Sequence, residues 1–357
     1  MPGTQHSFIK TFWKKLRRNK GAVFGLVVIV LSLLMAVFAY VVSPDATPDA
    51  NRIIVEIAAK KPRYTQQFFR FLNKNNSSSG NYFSGITDNC QYIPITSYKA
   101  MRDSIEVEKF VDDGVSEKML FTLSGQNIND AIVTKTFWLG TDKFGRDILS
   151  RLIVGVRVSL SVGLIAVIIS LTVGIFLGAV AGYFRGWVDE VILWLINVVW
   201  SIPTLLLVFA ITLALGKGFW QVFLAVGLTL WVNVARLIRG QVLSIRELNY
   251  IEATKAMGFS HARTIFRHIL PNVMGPVIVI AASNFASAIV IEAGLSFLGV
   301  GVQPPQPSWG LMIKENYNFI ITNNPMLAIA PGIAIMLLVL AFNLLGNGLR
   351  DVLDVRN

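Results

Sequence analysis

The sequence predicts an all-α integral membrane protein with six transmembrane helices and an extracytoplasmic insertion after the first. Three observations predict it. Of 357 residues, 54% are hydrophobic and only 15% charged, whereas a soluble domain has about 45–50% and about 25%. Six stretches approach or exceed the roughly 20 apolar residues that a bilayer-crossing helix needs. Lys and Arg also fall unevenly on the two sides of those stretches. This composition excludes a soluble enzyme, a disordered tail and a collagen-like chain; it leaves a membrane-anchored enzyme open. The net charge of +11 would suggest nucleic acid in a soluble protein. In a chain this apolar it points to loops facing anionic lipid, and no nucleic-acid partner is expected.

The first span, residues 21–42, is uncharged and follows six basic residues, Lys10, Lys14, Lys15, Arg17, Arg18 and Lys20. It exceeds the core of a signal peptide, usually about 7–15 residues, and its exit lacks a small-x-small cleavage pattern, so it reads as an uncleaved anchor. Residues 43–135 are not membrane-like. They mix both charges and contain the polar run Asn73-Lys-Asn-Asn-Ser-Ser-Ser-Gly-Asn81. Within them, 53–57 reads as a strand and 66–72 as a segment lying on the membrane surface. A small lobe or loop is the simple reading of this insertion; a partner-binding lobe is the sharper one.

The remaining spans are 158–183, 191–215, 219–235, 271–291 and 326–349. Pro203 should kink the third and free carbonyls towards a cavity. With the N-terminus inside, the inner segments 1–20, 184–190, 236–270 and 350–357 hold fifteen Lys/Arg, against only Lys217 and Lys314 in the short outer loops. Both termini are therefore expected in the cytoplasm. The core of five spans occupies 136–349.

Hydrolytic chemistry is missing from the sequence. Cys90 is alone, and His6, His261 and His268 pair with no second metal ligand or nucleophile. No G-x-x-x-x-G-K-[ST] loop occurs. Leu123-Ser-Gly-Gln126 faintly resembles an ATP-binding-cassette signature, but without a phosphate loop it reads as coincidence. A non-catalytic transport subunit, with neither metal nor cofactor of its own, is the expectation.

The loop 236–270 is the most informative cytoplasmic stretch. Residues 247–257 read as a short amphipathic helix with Leu248, Ile251 and Lys255 on one face. Gly258 stands where a left-handed C-terminal cap is wanted. Ser260 then caps a second helix, 261–270, which Pro271 ends. Helix–Gly–helix reads equally as a docking knob or a solvated hairpin.

Glu252-Ala253, Gly258 and Ile269-Leu-Pro-Asn272 together resemble the EAA loop of permease subunits of binding-protein-dependent ABC importers. The segment from Phe137 to Leu160, with Gly140-Thr-Asp-Lys-Phe-Gly-Arg-Asp147, is similar to the start of the core in the dipeptide/oligopeptide/nickel permeases. Glu292-Ala-Gly-Leu-Ser-Phe-Leu-Gly299 with Gln303-Pro-Pro-Gln-Pro-Ser-Trp309 resembles their last outer loop, and the basic N-terminus with its span resembles their C-type subunit. The resemblance covers about 10–42 and 136–354. It does not cover the insertion, and Asn347 and Val355 depart from the family pattern.

The resemblance implies an ABC importer type I permease fold in a bacterial inner membrane. It further implies peptide cargo moved by alternating access. The implied partners are a homologous second permease, two ATPase subunits that carry ATP and Mg²⁺, and an extracytoplasmic substrate-binding protein. Tyr250, Glu252, Ala253, Gly258, Leu270 and Pro271 would make the ATPase contact. Polar residues within spans mark candidates for the path: Asn197, Ser201 with Pro203, Asn233, Ser283, Asn284 and Glu292. Helix–helix hydrogen bonds are the simpler reading of each Ser and Asn, and Glu292 reads equally as path lining or as a headgroup-level residue. Asp142, Arg146 and Asp147 suggest either a lead-in helix braced by Asp–Arg pairs or a contact for the binding protein. Pro304, Pro305 and Trp309 suggest an outer gate or docking rim. Nickel or another small solute, a gradient-driven carrier and an anchored receptor are the alternatives.

Overall fold

The computed structural model describes residues 12–72, 79–87, 90–101, 104–122, 131–321 and 324–353. His6, Lys10, residues 73–78 of the polar run, the tetrapeptide 123–126 and Val355 lie outside the described residues. The chain divides into two compact units. One comprises residues up to 33, 159–303 and 334 onward; the other comprises 34–158 and 304–333.

Helices dominate. Among the described residues five are long and apolar enough to cross a bilayer: α1 (Lys20–Val37), α2 (Ile148–Phe184), a run His261–Leu298, and two more given below. A sixth span arises if α3 (Gly186–Trp200) and α4 (Thr204–Leu215) count as one; they meet at 91°. The kink expected at Pro203 is thus a full break. Proline offers no N–H to the preceding turn. The end of α3 is closed instead by the Ser201 amide and hydroxyl, which donate to the carbonyls of Asn197 (3.0 Å) and Val198 (2.8 Å).

α5 (Phe219–Arg246) is the most buried span. Val234, Ile238 and Val242 share one face of it and are fully buried. They pack on α2 because Gly174, Gly178 and Gly182, one turn apart, leave no Cβ in the way: a Cβ at 178 would lie 2.5 Å from the Ala235 carbonyl and 2.9 Å from Ile238. Small residues at four-residue spacing allow such close approach where lipid supplies no hydrophobic drive between helices. The four-residue spacing of these glycines is visible in the sequence.

α6 (Asn249–Ala256) and α7 (His261–Thr264) form the hairpin that follows α5. Pro271 does not end the second helix, contrary to expectation. A π turn over Ile265–Ile269 widens the backbone, and α8 (Leu270–Leu298) continues with Pro271 in its first turn, where a missing N–H costs nothing. After α9 (Trp309–Asn316), α10 (Met326–Leu353) closes the chain.

The second unit holds a feature the sequence reading missed. Its centre is a five-stranded antiparallel sheet in the order β6-β5-β4-β1-β7. The strands are β1 (Tyr64–Leu72), β4 (Cys90–Ala100), β5 (Ser104–Asp112), β6 (Val115–Thr122) and β7 (Ile132–Phe137), with a small ribbon of β2 (Ser79–Asn81) and β3 (Gly85–Thr87) beside β4 in sequence. Residues 66–72 therefore belong to a strand of this sheet and not to a segment lying on the membrane surface. Phe68 and Phe69 are both buried, on opposite faces of β1, packed in separate clusters with Ile57 and with Ile95 and Val107. Burial of both faces erased the two-residue alternation that marks a strand. Residues 55–57, expected as a strand, form a single 3₁₀ turn.

Candidate functional site

The hairpin from Glu247 to Ile269 is held to the spans by one buried face. Ile251 is fully buried and Thr254 nearly so, and both belong to its inner face. Leu248 and Lys255, expected on that face, are exposed. Ile251 packs with Ile238 and Val242 of α5 and with Ile265 and Ile269 of the π turn. The Thr254 and Thr264 hydroxyls face each other at 3.4 Å. The opposite face offers Tyr250, Glu252, Ala253 and Met257 to solvent, an apolar surface around one carboxylate.

Gly258 has φ +73°. Its amide donates to the Lys255 carbonyl (2.9 Å), and the Phe259 amide donates to the Thr254 carbonyl (3.1 Å). This pair of bonds is the Schellman closure, and it needs a left-handed residue at 258. Ser260 then caps α7, its hydroxyl accepting from the Arg263 amide. Both features agree with the sequence reading.

The end of α2 holds the hairpin from both sides. Arg246 donates to the Tyr183 carbonyl (2.5 Å), Tyr183 Oη lies 2.9 Å from His261 Nδ1, and Arg185 pairs with Glu247. The Arg185 hydrogen bond, then its charge, draws the Glu247 carboxyl below the usual range. Arg185 itself has φ +58°, a strained conformation for a residue with a Cβ. Asn272 donates to the His268 carbonyl (2.6 Å) and to Tyr250 Oη (3.3 Å), which ties the Leu270-Pro271 turn to the exposed face.

The path candidates separate into two groups. Ser201, Pro203, Asn233 and Ser283 are exposed. Asn284 is buried and donates to Ser170 Oγ (3.2 Å) and the Leu230 carbonyl (3.4 Å), so it ties three helices together. Glu292 is fully buried; Ser296 donates to its Oε1 (2.7 Å) and in turn accepts from the Val302 amide (3.0 Å). The pair Asp189–Arg239, bidentate at 2.5 and 2.6 Å, was not singled out from sequence; it joins α3 to α5.

In the second unit the outer candidates lie mostly inside. Asp142, Arg146, Asp147 and Trp309 are buried, so their side chains present nothing to a binding protein. Nor do they lie in a lead-in helix: residues 141–147 form a loop before α2, and Asp147 and Asp142 reach Ser150 and Arg151 in the first turn of α2. The Arg146 guanidinium donates to Asp142 (2.6 Å) and Glu315 (2.7 Å). The wholly buried Arg151 lies 4.0 and 3.9 Å from the same two carboxylates. Asp147 accepts from the Ser150 amide (2.9 Å); burial raises its carboxyl's pKa, against the pull of the Ser150 hydrogen bonds. The Trp309 indole donates to the Leu152 carbonyl (3.0 Å) against Gly155, where a Cβ would stand 2.9 Å from the ring. Pro304 and Pro305 remain exposed.

Comparison with known proteins adds the following. Residues 174–357 match the family described as binding-protein-dependent transport system inner membrane component. Residues 7–60 match the N-terminal TM domain of oligopeptide transport permease C. The chain is 42% identical over 217 residues to the glutathione transport system permease protein GsiD of Pectobacterium atrosepticum, covering 61% of this chain and 72% of that one. It is 43% identical to the dipeptide transport system permease protein DppC of Alkalihalophilus pseudofirmus, over 61% and 71%. It is 37% identical to the oligopeptide transport system permease protein OppC of Bacillus subtilis, over 62% and 72%. Among solved structures, the inward-facing MetNI methionine ABC transporter aligns with a TM-score of 0.49 at 18% identity, over 57% of this chain and 97% of that one.

Proposed function

The chain belongs to the family of binding-protein-dependent transport system inner membrane components, and from that premise we propose that it is the permease subunit through which an ATP-driven importer moves peptides across the bacterial inner membrane. Its relatives' names supply the cargo class, and their range from dipeptide to glutathione and oligopeptide sets its breadth. The proposed assembly contains a homologous second permease, two ATPase subunits that bind ATP and Mg²⁺, and an extracytoplasmic substrate-binding protein. Both termini face the cytoplasm, as the excess of basic residues on the inner side favours even without Arg236.

The observation that carries this reading is the mounting of the hairpin. Its inner face is locked to α2, α5 and α8, while Tyr250, Glu252, Ala253 and Met257 stand exposed. A push on the exposed face therefore reaches the spans as a rigid displacement, the kind of motion alternating access needs. Glu252 pairs with a cation of the ATPase, Gly258 sets the angle between the two short helices, and the chain itself hydrolyses nothing.

Ala253→Cys and Met257→Cys, each in a chain whose native Cys90 is replaced by serine, test the reading in membranes that contain the whole complex. Both should cross-link to the ATPase subunits and resist membrane-impermeant thiol reagents added from outside. Labelling from outside, or uptake of peptide by the chain without ATPase subunits, would overturn it.

A further inference from the structure

α5 is uncovered on different faces along its length. Trp220, Leu224 and Leu228 are exposed in the first half; Asn233, Arg236, Gly240 and Ser244, roughly half a turn round the axis from them, are exposed in the second. An apolar stripe suits lipid tails, whereas a stripe carrying Asn and Arg does not.

Arg236 is the residue of interest. The 28 residues of α5 rise about 42 Å, some 12 Å more than a hydrocarbon core of about 30 Å. Arg236 stands ten residues before Arg246, or about 15 Å along the axis. Even if the whole excess protrudes at that end, Arg236 falls within the core.

Its surroundings differ from those of Arg239, one turn below. Arg239 has the carboxylate of Asp189. Arg236 has the ring of Trp200, 3.8 Å from its guanidinium carbon, and Asn197 Oδ1 at 3.3 Å. Among the described residues no carboxylate pairs with it. Trp200 is the last residue of α3, at the 91° break before α4, and it is exposed as well. An exposed guanidinium at membrane depth, resting on an indole and one amide, keeps most of its five N–H donors for a further acceptor.

We infer that Arg236 is a transit site for the anionic groups of the cargo. The inference rests on the peptide-transport reading above. A peptide always carries a carboxylate at one end, and crossing a low-dielectric region is hardest for that group. The planar fork of Arg236 receives a carboxylate through two parallel hydrogen bonds. Trp200 and Asn197 hold the guanidinium while no cargo is present and release it at modest cost, because a cation–π contact is weaker than a charge-assisted pair. Arg236 counted only as a loop charge when the sequence was read, since the apolar run stops at Ala235.

The test uses the complete complex in proteoliposomes and three tripeptides: trialanine and its variants with a central glutamate or lysine. Maximal uptake of each is measured for wild type, Arg236→Lys, Arg236→Gln and Arg236→Glu. In Arg236→Glu the uptake relative to wild type should be about tenfold lower for the glutamate peptide than for the lysine peptide, the worth of one charge-assisted hydrogen bond. Arg236→Gln should fall between, and Arg236→Lys should keep the wild-type order. An equal loss for all three peptides would mean that Arg236 only pins the break between α3 and α4, and would overturn the inference. Loss of the second permease from purified Arg236→Glu complex would assign the charge to a subunit interface and overturn it too. Wild-type complex that takes up none of the three would instead sink the peptide-transport reading itself.

Discussion

Valine at position 258 would have to adopt φ +73°, a conformation that costs an L-residue roughly 1–2 kcal/mol. Nothing else opposes it: a Cβ there meets no atom within 4 Å. The whole effect is backbone strain in the closure between α6 and α7, with no core disturbed. A cost of about 1–2 kcal/mol lowers the native hairpin population by roughly 5- to 30-fold relative to competing turns. Membrane insertion and assembly should survive, because the spans keep their packing. The assay is ATP hydrolysed per peptide accumulated by the reconstituted complex. In Gly258→Val that ratio should rise at least about fivefold, in line with the population loss. Gly258→Asn should stay near wild type, because asparagine tolerates the left-handed region. Wild-type coupling in the valine variant would refute the role of the turn. Equal damage by asparagine and valine would show that bulk against a partner matters and that φ does not.

Four further outcomes are expected. Gly178→Val drives a side chain into the Ala235 carbonyl and Ile238; overpacking of this kind costs about 1–3 kcal/mol, seen as a lower melting temperature of the detergent-solubilised protein. Asp189→Asn strips Arg239 of its bidentate partner and should lower thermal stability, with the swap Asp189→Arg/Arg239→Asp restoring part of it. Glu315→Gln leaves Arg146 and Arg151 to share Asp142; removing one partner of a buried pair costs about 3–5 kcal/mol, and limited proteolysis of the segment before α2 should accelerate. The Arg185–Glu247 pair should hold the hairpin unchanged from neutral pH downward until the carboxyl protonates. Because its folded pKa lies below the unfolded value of about 4.3, that contribution is complete above the unfolded pKa and is lost as pH falls through the folded one. Hydrogen exchange at the Tyr250–Thr254 amides measures it, and loosening already at pH 6 would contradict the assignment.

The long apolar spans, a bend at Pro203 short of the full break, the left-handed Gly258 and the Ser260 cap were legible in the sequence, because each depends on residues within one or two turns of chain. Long apolar runs need no tertiary partner to declare themselves, since the bilayer imposes their helicity. Pro271 misled although its surroundings are local: the π turn over Ile265–Ile269 places it in the first turn of α8, and nothing in residue preference marks a π turn in advance.

The sheet escaped notice because burial on both sides of Phe68 and Phe69 hid its period. The fates of Asn284, Arg146 and Trp309 were decided by partners far along the chain: Ser170 and Leu230 for Asn284, Glu315 for Arg146 and Leu152 for Trp309. Sequence alone established what kind of solvent this polypeptide lives in and where its hairpin turns, since hydropathy and backbone preference are local. Which polar side chains are locked inside and which, like Arg236, stay exposed was decided by packing, because a side chain's neighbours are chosen by the fold and not by its place in the chain.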